Sequence, residues 1–301
     1  LTRAGFTAVI GAPNAGKSTL VNRLVGSKVS IVTHKVQTTR FPIRGVMMRG
    51  ESQIVLVDTP GIFRPKRRLD RAMVRSAWEG AGDADAIVHL VDARGWMGSN
   101  PGDDEDVAII ARLKELGAKA ILALNKIDLV DRPSLLAAAQ RLHAEGVYSD
   151  VMMISGLSGD GVDQLADLLA QRMPEGPYLF PEDQAADMPV RLLAAEITRE
   201  KLMLRLHQEL PYQLTVETET WTQHDNGSVK VEQVIYVARE NHRQIILGKG
   251  GKTIKDVGVA ARKELGEVIG RPAHLFLRVK VSEKWQESRE RFTAIGLEFD
   301  S

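Results

Sequence analysis

Gly11-Ala12-Pro13-Asn14-Ala15-Gly16-Lys17-Ser18, continued by Thr19 and Leu20, is the stretch from which the fold is read. It fits G-x-x-x-x-G-K-[ST] and follows an apolar run, Phe6–Ile10, of which Thr7–Ile10 reads as a buried first strand. A helix is expected to begin at Lys17. A strand, a glycine loop and a helix are the context in which successive backbone N–H groups wrap phosphates, aided by the helix N-terminus. Lys17 then neutralises phosphate charge and the Ser18 hydroxyl is a ligand for Mg²⁺. An ordinary glycine turn with a surface lysine would also fit the eight residues alone, but not so well with a strand before and a helix after.

Working outward, the chain repeats the strand–helix rhythm. Ile43–Met48 and Gln53–Val57 read as strands of a hairpin, and Arg67–Trp78 as a helix. Strands follow at Ala86–Asp92, Ala120–Leu124 and Val151–Ile154, with helices at Asp104–Leu116, Ser134–Ala144 and Val162–Arg172. Such alternation predicts a largely parallel α/β sheet. Pro133 suits a helix first turn. The acids Asp103–Asp106 suit one as well, through the helix dipole, and do not make a second metal site.

Two further strand ends carry chemistry. Asp58-Thr59-Pro60-Gly61 places a carboxylate where it can hold Mg²⁺ through water, and a glycine whose N–H can turn to a γ-phosphate. Asn125-Lys126-Ile127-Asp128 places a carboxylate that can accept from both N1–H and the exocyclic amine of guanine; adenine lacks that donor pair. Asn125 can tie this loop to the phosphate loop, and Lys126 can lay its methylenes on the base. Ile62 follows Gly61, so no side chain there can orient a water, and slow intrinsic turnover is expected.

The stretch 173–190 breaks the rhythm with Pro174, Pro177, Pro181 and Pro189 among acids, and reads as a linker. Beyond it the order changes to α-β-β-α-α-β: a long helix Leu192–Leu210, strands Leu214–Thr220 and Val229–Ala238, helices Asn241–Leu247 and Lys252–Val268, and a strand His274–Val281 with Leu275, Leu277 and Val279 on one face. The tail Ser282–Ala294 is expected to be helical. Gly248-Lys249-Gly250-Gly251 sits between two helices, where a G-x-x-G loop lets a nucleic acid backbone approach and clamps about four nucleotides. Around it Arg239, Arg243, Lys249, Lys252, Lys255, Arg262 and Lys263 are opposed only by Glu240 and Asp256. A tight helix–helix turn with solvated lysines is the competing reading.

Composition sets the outer limits. The 301 residues suffice for two domains, 44% are hydrophobic, and the formal net charge is +1, which argues against a general polyanion sponge and leaves room for local basic faces. With Cys 0 there is no disulfide framework and no thiolate metal site. No apolar run reaches membrane-spanning length, and the start LTRAGF lacks a signal-peptide build. His89, His143, His207, His224, His242 and His274 are too scattered for a zinc cluster. Trp78, Trp96, Trp221 and Trp285 could stack on bases but suit core or rim positions better.

Gly11–Ser18, Asp58–Gly61 and Asn125–Asp128 resemble the first, third and fourth motifs of translation-factor-class GTPases, and Gln37-Thr38-Thr39-Arg40 resembles the second motif of the Era family. Met153–Ser155 resembles the start of the fifth, with Gly156 in place of the usual alanine, which implies a looser loop. The G-x-x-G segment, with Thr198–Lys201, Glu209–Tyr212 and Lys280, resembles a type II KH domain, the C-terminal module of that family. The resemblance implies an α/β P-loop GTPase domain over 1–172, the linker 173–190 and a smaller α+β type II KH domain over 191–301.

It implies hydrolysis of GTP to GDP, with Lys17, Thr39 and Gly61 in the catalytic roles and Thr38 the fallback for Thr39. Mg²⁺ falls to Ser18, Thr39 and Asp58, and K⁺ to Asn14, whose amide would stand beside the phosphates. Nucleotide contacts fall to Gly11, Ala12, Pro13, Asn14, Ala15, Gly16, Lys17, Ser18 and Thr19, to Asp58, Thr59, Pro60 and Gly61, and to Asn125, Lys126, Asp128, Ser155 and Gly156. RNA contacts fall to Arg239, Arg243, Gly248, Lys249, Gly250, Gly251, Lys252 and Lys255. Arg40 is either an arginine acting in cis or a residue facing solvent. The partners implied are the 3′ end of 16S ribosomal RNA and the 30S subunit, for a monomer in the cytoplasm with peripheral membrane association. Two other functions compete: a GTPase regulating a membrane or cell-cycle process with the second domain docking protein, and an RNA-binding module with a decayed nucleotide fold.

Overall fold

The computed structural model describes residues 1–66, 68–98, 102 and 104–299. Arg67 and Asp103, which the sequence reading places in a helix and an acidic first turn, lie outside the described residues. Two compact units are present, one made of Leu1–Ser30, Thr39–Asp187 and the stretch from Gly296, the other of Ile31–Thr38 and Met188–Ile295. No helix among the described residues is long and apolar enough to cross a membrane.

The first unit alternates β1 (Arg3–Ile10), α1 (Lys17–Val25), β2 (Ile43–Arg49), β3 (Ser52–Asp58), α2 (Arg68–Gly82), β4 (Ala86–Asp92), α3 (Asp104–Leu116), β5 (Ala120–Asn125), α4 (Arg132–Ala144), β6 (Tyr148–Met153) and α5 (Val162–Arg172). Its sheet runs β2-β3-β1-β4-β5-β6. All pairings are parallel except β2 with β3, the expected hairpin. The central strands read as unbroken apolar runs because helices cover both faces; Ile10, Leu122, Ile109 and Leu113 are fully buried in one cluster. In such sheets ligands bind outside the carboxyl ends of the strands, and Gly11, Asp58 and Asn125 stand at the ends of β1, β3 and β5.

His89 is a core histidine. Its Nδ1 stands 2.8 Å from the Tyr148 hydroxyl and its Nε2 3.1 Å from Asp106 Oδ1, so Asp106 is drawn into the core rather than left at the solvated helix start. Trp96 joins this network through Nε1 and, like Trp285, is buried, which removes both from the candidates for base stacking.

The stretch 173–190 is largely not a free linker. Its residues to Asp187 pack with the first unit: Pro174 accepts from Ala4 N–H at 3.0 Å, Ala185 from Val46 N–H at 2.9 Å, and Asp187 N–H donates to Arg44 at 3.0 Å. Gln53 explains the path. Its amide is fully buried, and it is satisfied by Phe180 O at 2.8 Å and by the N–H groups of Leu179 and Phe180 at 2.7 and 3.0 Å.

The second unit orders α6 (Val190–Arg205), β7 (Leu214–Gln223), β8 (Val229–Val237), α7 (Glu240–Leu247), α8 (Lys252–Ile269), β9 (Ala273–Val281) and α9 (Arg289–Ala294). Its sheet is β7-β8-β9, antiparallel then parallel. Ala195 and Leu202 of α6, Ile235 and Val237 of β8, Ile246 of α7 and Val257 of α8 share one core. The helix expected to reach Leu210 stops at Arg205. Leu206 turns to extended backbone, which lets Leu206 and Leu210 join that core. The tail is only partly helical, because Trp285 is buried and donates to Gln213 O at 3.2 Å, breaking the run before α9.

Ile31–Thr38 packs with this unit. Val32 N–H donates to Glu200 Oε2 at 2.8 Å, and Arg199, fully buried and paired with Glu196 at 2.6 Å, donates to the Thr38 carbonyl.

Candidate nucleotide site and candidate nucleic-acid surface

The phosphate loop is shaped by left-handed backbone at Asn14 (φ 63) and Gly16 (φ 104). At Gly16 a Cβ would stand 2.5 Å from Asn125 Nδ2, so glycine is required by space as well as by φ. Lys17 is buried, its Nζ donating to Ala12 O at 2.8 Å and Gly11 O at 3.2 Å. Burial lowers its pKa to about 8, against the opposing pull of Asp58. Ile62 N–H donates to Gly11 O at 3.0 Å, and a Cβ on Gly61 would stand 3.1 Å from Pro13. The start of the Gly61 loop therefore lies directly against the phosphate loop. Ile62 itself is buried in the core.

Asp58 is fully buried between hydroxyls. Ser18 and Ser30 each donate to its Oδ2 at 2.7 Å, and Thr39 Oγ1 stands 3.0 Å from Ser18 Oγ. Burial pushes the Asp58 carboxyl up, although the Ser18 and Ser30 bonds and the Lys17 charge work the other way. Asp58 Oδ1 is buried and has no hydrogen-bond partner among the described residues. An orphaned carboxylate oxygen beside two hydroxyls is an all-oxygen donor set suited to a hard cation, so these residues fit Mg²⁺. Thr39, not Thr38, stands here; the Thr38 hydroxyl is spent on Lys35 O and Thr33. Arg40, expected to face solvent if not catalytic, is buried.

Asn125 bridges two loops: its Nδ2 donates to Ala15 O at 2.8 Å and its Oδ1 accepts from Gly156 N–H at 2.9 Å. Lys126 takes left-handed backbone (φ 65), and its Nζ reaches Asn14 O at 2.7 Å and Asp92 Oδ2 at 2.8 Å. Burial works to raise the Asp92 carboxyl, but hydrogen bonds from Arg94 and Lys126 outweigh it and leave it below the usual range. Asp128 is exposed and has no hydrogen-bond or ion-pair partner among the described residues. Ser155 is buried and its Oγ accepts from Ser158 N–H at 3.1 Å. Gly156 is not loose, for its carbonyl accepts from Arg23 Nε at 2.7 Å.

Sequence reasoning misses Ser30, Arg23 and Asp92, each far along the chain from the motif it supports. Ser30 is set by Asn22, whose Oδ1 accepts from Ser30 N–H at 2.9 Å and whose Nδ2 donates back to Ser30 O at 2.8 Å. No local pattern marks these residues.

In the second unit Gly248, Gly250 and Gly251 all have positive φ (72, 61 and 74). A Cβ on Gly248 would meet Thr253 Oγ1 at 2.2 Å, whereas one on Gly250 would meet nothing within 4 Å. Arg239, Lys249, Lys252 and Lys255 are exposed, while Arg243 is paired with Glu240 at 2.9 Å. Beside the loop, a groove of about 290 Å³ runs between α8 and β9, lined by Ile254, Lys255, Gly258, Val259, Arg262, Leu275, Phe276 and Leu277. Phe276 is 53% exposed and carries Lys230 over its ring at 5.4 Å. The alternation of β9 predicts Leu275 and Leu277 inward but gives Phe276 no role.

A family model described as 50S ribosome-binding GTPase matches residues 6–126, and a KH domain model matches residues 209–286. The chain is 59% identical to the GTPase Era of Caulobacter vibrioides over 99% of this chain and 98% of that one. A crystal structure of a point variant of Aquifex aeolicus Era bound to GDP.AlF4- is similar at 37% identity, with a TM-score of 0.90 over 98% of this chain and 99% of that one. A structure of Era with MgGDPNP and nucleotides 1506–1542 of 16S ribosomal RNA is similar at 37% identity and a TM-score of 0.91, over the same shares of the two chains.

Proposed function

The chain belongs to the Era family of GTPases and hydrolyses GTP, and from that premise we propose that it uses the nucleotide to time its hold on the 3′ end of 16S ribosomal RNA during maturation of the 30S subunit. The reaction is attack of water on the γ-phosphoryl group, giving GDP and phosphate. Positioning and charge neutralisation do most of the work. Backbone N–H groups of the phosphate loop and the Lys17 ammonium hold the phosphates. The Gly61 N–H can turn toward the γ-phosphate, since glycine carries no Cβ to press on Pro13, which would stand 3.1 Å from one. Ser18, Thr39 and Asp58 hold Mg²⁺, which when bound neutralises phosphate charge. Asp128, unpaired among the described residues and exposed, accepts the two guanine donors, and Lys126 backs the base.

With Ile62 buried, no side chain follows Gly61 to orient water, so hydrolysis needs help. Asn14 is exposed beside the phosphate loop and supplies a ligand for K⁺, whose charge does the work of an arginine. Hydrolysis is faster in potassium than in sodium buffer; equal rates remove this role.

The RNA assignment is carried by Gly250: left-handed backbone with open space around it, flanked by two more left-handed glycines and exposed lysines. Phosphate oxygens can reach the backbone there, and Phe276 offers a ring to a base in the adjoining groove. Gly250→Asp tests it by filling that space with a negative charge. Binding of a 16S 3′-end fragment is weakened while GTP hydrolysis without RNA is kept. Equal binding, with the same salt dependence, refutes the clamp.

A further inference from the structure

A second basic surface lies in the first unit, on the segment that follows Gly61. From Arg64 to Arg75 the sequence carries Arg64, Lys66, Arg67, Arg68, Arg71 and Arg75 against one acid, Asp70. That acid is itself buried, and its Oδ2 accepts from Lys66 N–H at 3.1 Å. The chain as a whole is nearly neutral, so this run is a concentration and not a reflection of composition.

Helix α2 sorts its residues by face. Leu69, Met73 and Ala77, spaced by four, are buried. Arg68, Arg71 and Arg75, spaced by three and four, share another face. Arg71 and Arg75 are exposed there, as are Arg64 and Lys66 in the preceding loop. Arg64, Lys66 and Arg71 have no carboxylate partner among the described residues. The same face already takes groups from the C-terminal stretch of this unit. Arg68 lies over the Phe299 ring at 4.7 Å and Arg75 stands 3.9 Å from Glu298, so an anion is accommodated there within the chain.

We infer that Arg64, Lys66 and Arg71 form a second contact for the RNA sugar–phosphate backbone, separate from the G-x-x-G loop. Arginine dominates the surface, and its planar fork matches phosphate bidentately. A lipid surface fits less well: the apolar face of α2 is committed to the core, so no hydrophobic wedge accompanies the charge. The position adds a consequence. Arg64 lies three residues beyond Gly61, so RNA held here loads the segment that meets the γ-phosphate.

This inference rests on the RNA-binding function proposed above, and its test separates the two. The full chain with Mg²⁺ and a non-hydrolysable GTP analogue is titrated with a fluorescent RNA of 16S nucleotides 1506–1542 across a salt series. The variants are Arg64→Ala/Lys66→Ala/Arg71→Ala, Gly250→Asp and their combination. The triple variant weakens binding about tenfold or more at 0.1 M salt, and the slope of log K against log salt falls by roughly 2, three contacts at about 0.7 each. The same decrement persists on the Gly250→Asp background. Arg64→Lys/Arg71→Lys keeps the slope, because it keeps the charge. Arg71→Glu alone, at an exposed helix position, moves binding the same way and serves if the triple variant does not fold. Unchanged affinity and slope in the triple variant overturn the inference. So does loss of binding to phosphatidylglycerol vesicles with RNA binding intact. Wild-type affinity in Gly250→Asp refutes the clamp and leaves the arginine measurement standing.

Discussion

Asn125→Ala tests the joint on which the nucleotide site is built. Asn125 is 3% exposed and spans two loops that approach from different strands, donating to Ala15 O and accepting from Gly156 N–H. Alanine deletes both bonds, each worth about 1 kcal/mol net, so the joint loses about 2 kcal/mol before any penalty for the buried groups left behind. The two loops are then free to part in the nucleotide-free protein, and the ligand must bring them back together. The cost therefore appears in the dissociation constants of GTP and GDP alike, as a rise of roughly 30-fold. In thermal unfolding it appears as a fall of about 4–8 °C for a unit of this size. Asn125→Asp separates donor from acceptor. Its carboxylate still accepts from Gly156 N–H but confronts the Ala15 carbonyl with a second acceptor and a buried charge. Above pH ~7 it binds nucleotide more weakly than the alanine variant. Near pH ~5 it recovers, as the protonated carboxyl donates to Ala15 O. Titration with a fluorescent guanine nucleotide reads both effects. Affinity of Asn125→Ala within about threefold of wild type, or a pH-independent Asn125→Asp, refutes the bridge as a determinant of binding.

Lys17 has a folded pKa lowered to about 8, so above that pH the nucleotide-free protein holds it neutral while the unfolded chain, at about 10.5, keeps its proton. The lowered value costs the apo fold stability, in full below pH about 8, where both states carry the ammonium, and not at all above about 10.5, where both have lost the proton; in those two ranges Lys17 adds no pH dependence. Between those values the unfolded chain binds the extra proton and the apo fold gains stability as pH rises, and phosphates, which favour the ammonium, make nucleotide binding take up a proton. Calorimetry near pH ~9 in buffers of different ionisation enthalpy shows uptake approaching one proton, absent in Lys17→Met and near zero at pH ~7; buffer-independent heats at the higher pH contradict it. Gly156→Ala is accommodated, since its Cβ meets Asn125 Oδ1 at 3.6 Å and Leu20 Cα at 3.7 Å, ordinary contacts. It stabilises the fold by about 0.4–1 kcal/mol through the unfolded chain and leaves nucleotide affinity unchanged, as melting curves and titrations read. Asp128→Asn weakens GTP and favours xanthosine triphosphate; competition assays without that exchange remove Asp128 from base recognition.

The residues legible in the sequence are those whose chemistry is local. Lys17, Asp58 and Asn125 each stand at a fixed offset from a strand end, and the alternating strands and helices bring those ends together whatever the loops do. The illegible residues are those that answer for a buried polar group elsewhere. Nothing near Gln53 says that its amide is buried, yet once it is, three hydrogen bonds must be found, and Leu179 and Phe180 supply them from 126 and 127 positions away. That demand draws the proline-rich stretch along the first unit, where composition alone suggests only a linker. Arg40 escapes a local reading for the same reason, since charge argues for solvent until tertiary contacts bury it. Gly156 shows the reverse error. Beside the alanine of its family motif it suggests a slack loop, but Arg23 and Asn125 hold the carbonyl and the N–H of that one residue. The family's alanine would add a methyl group in ordinary contact there, so the rigidity of the loop lies in the backbone and not in the side chain that the motif names.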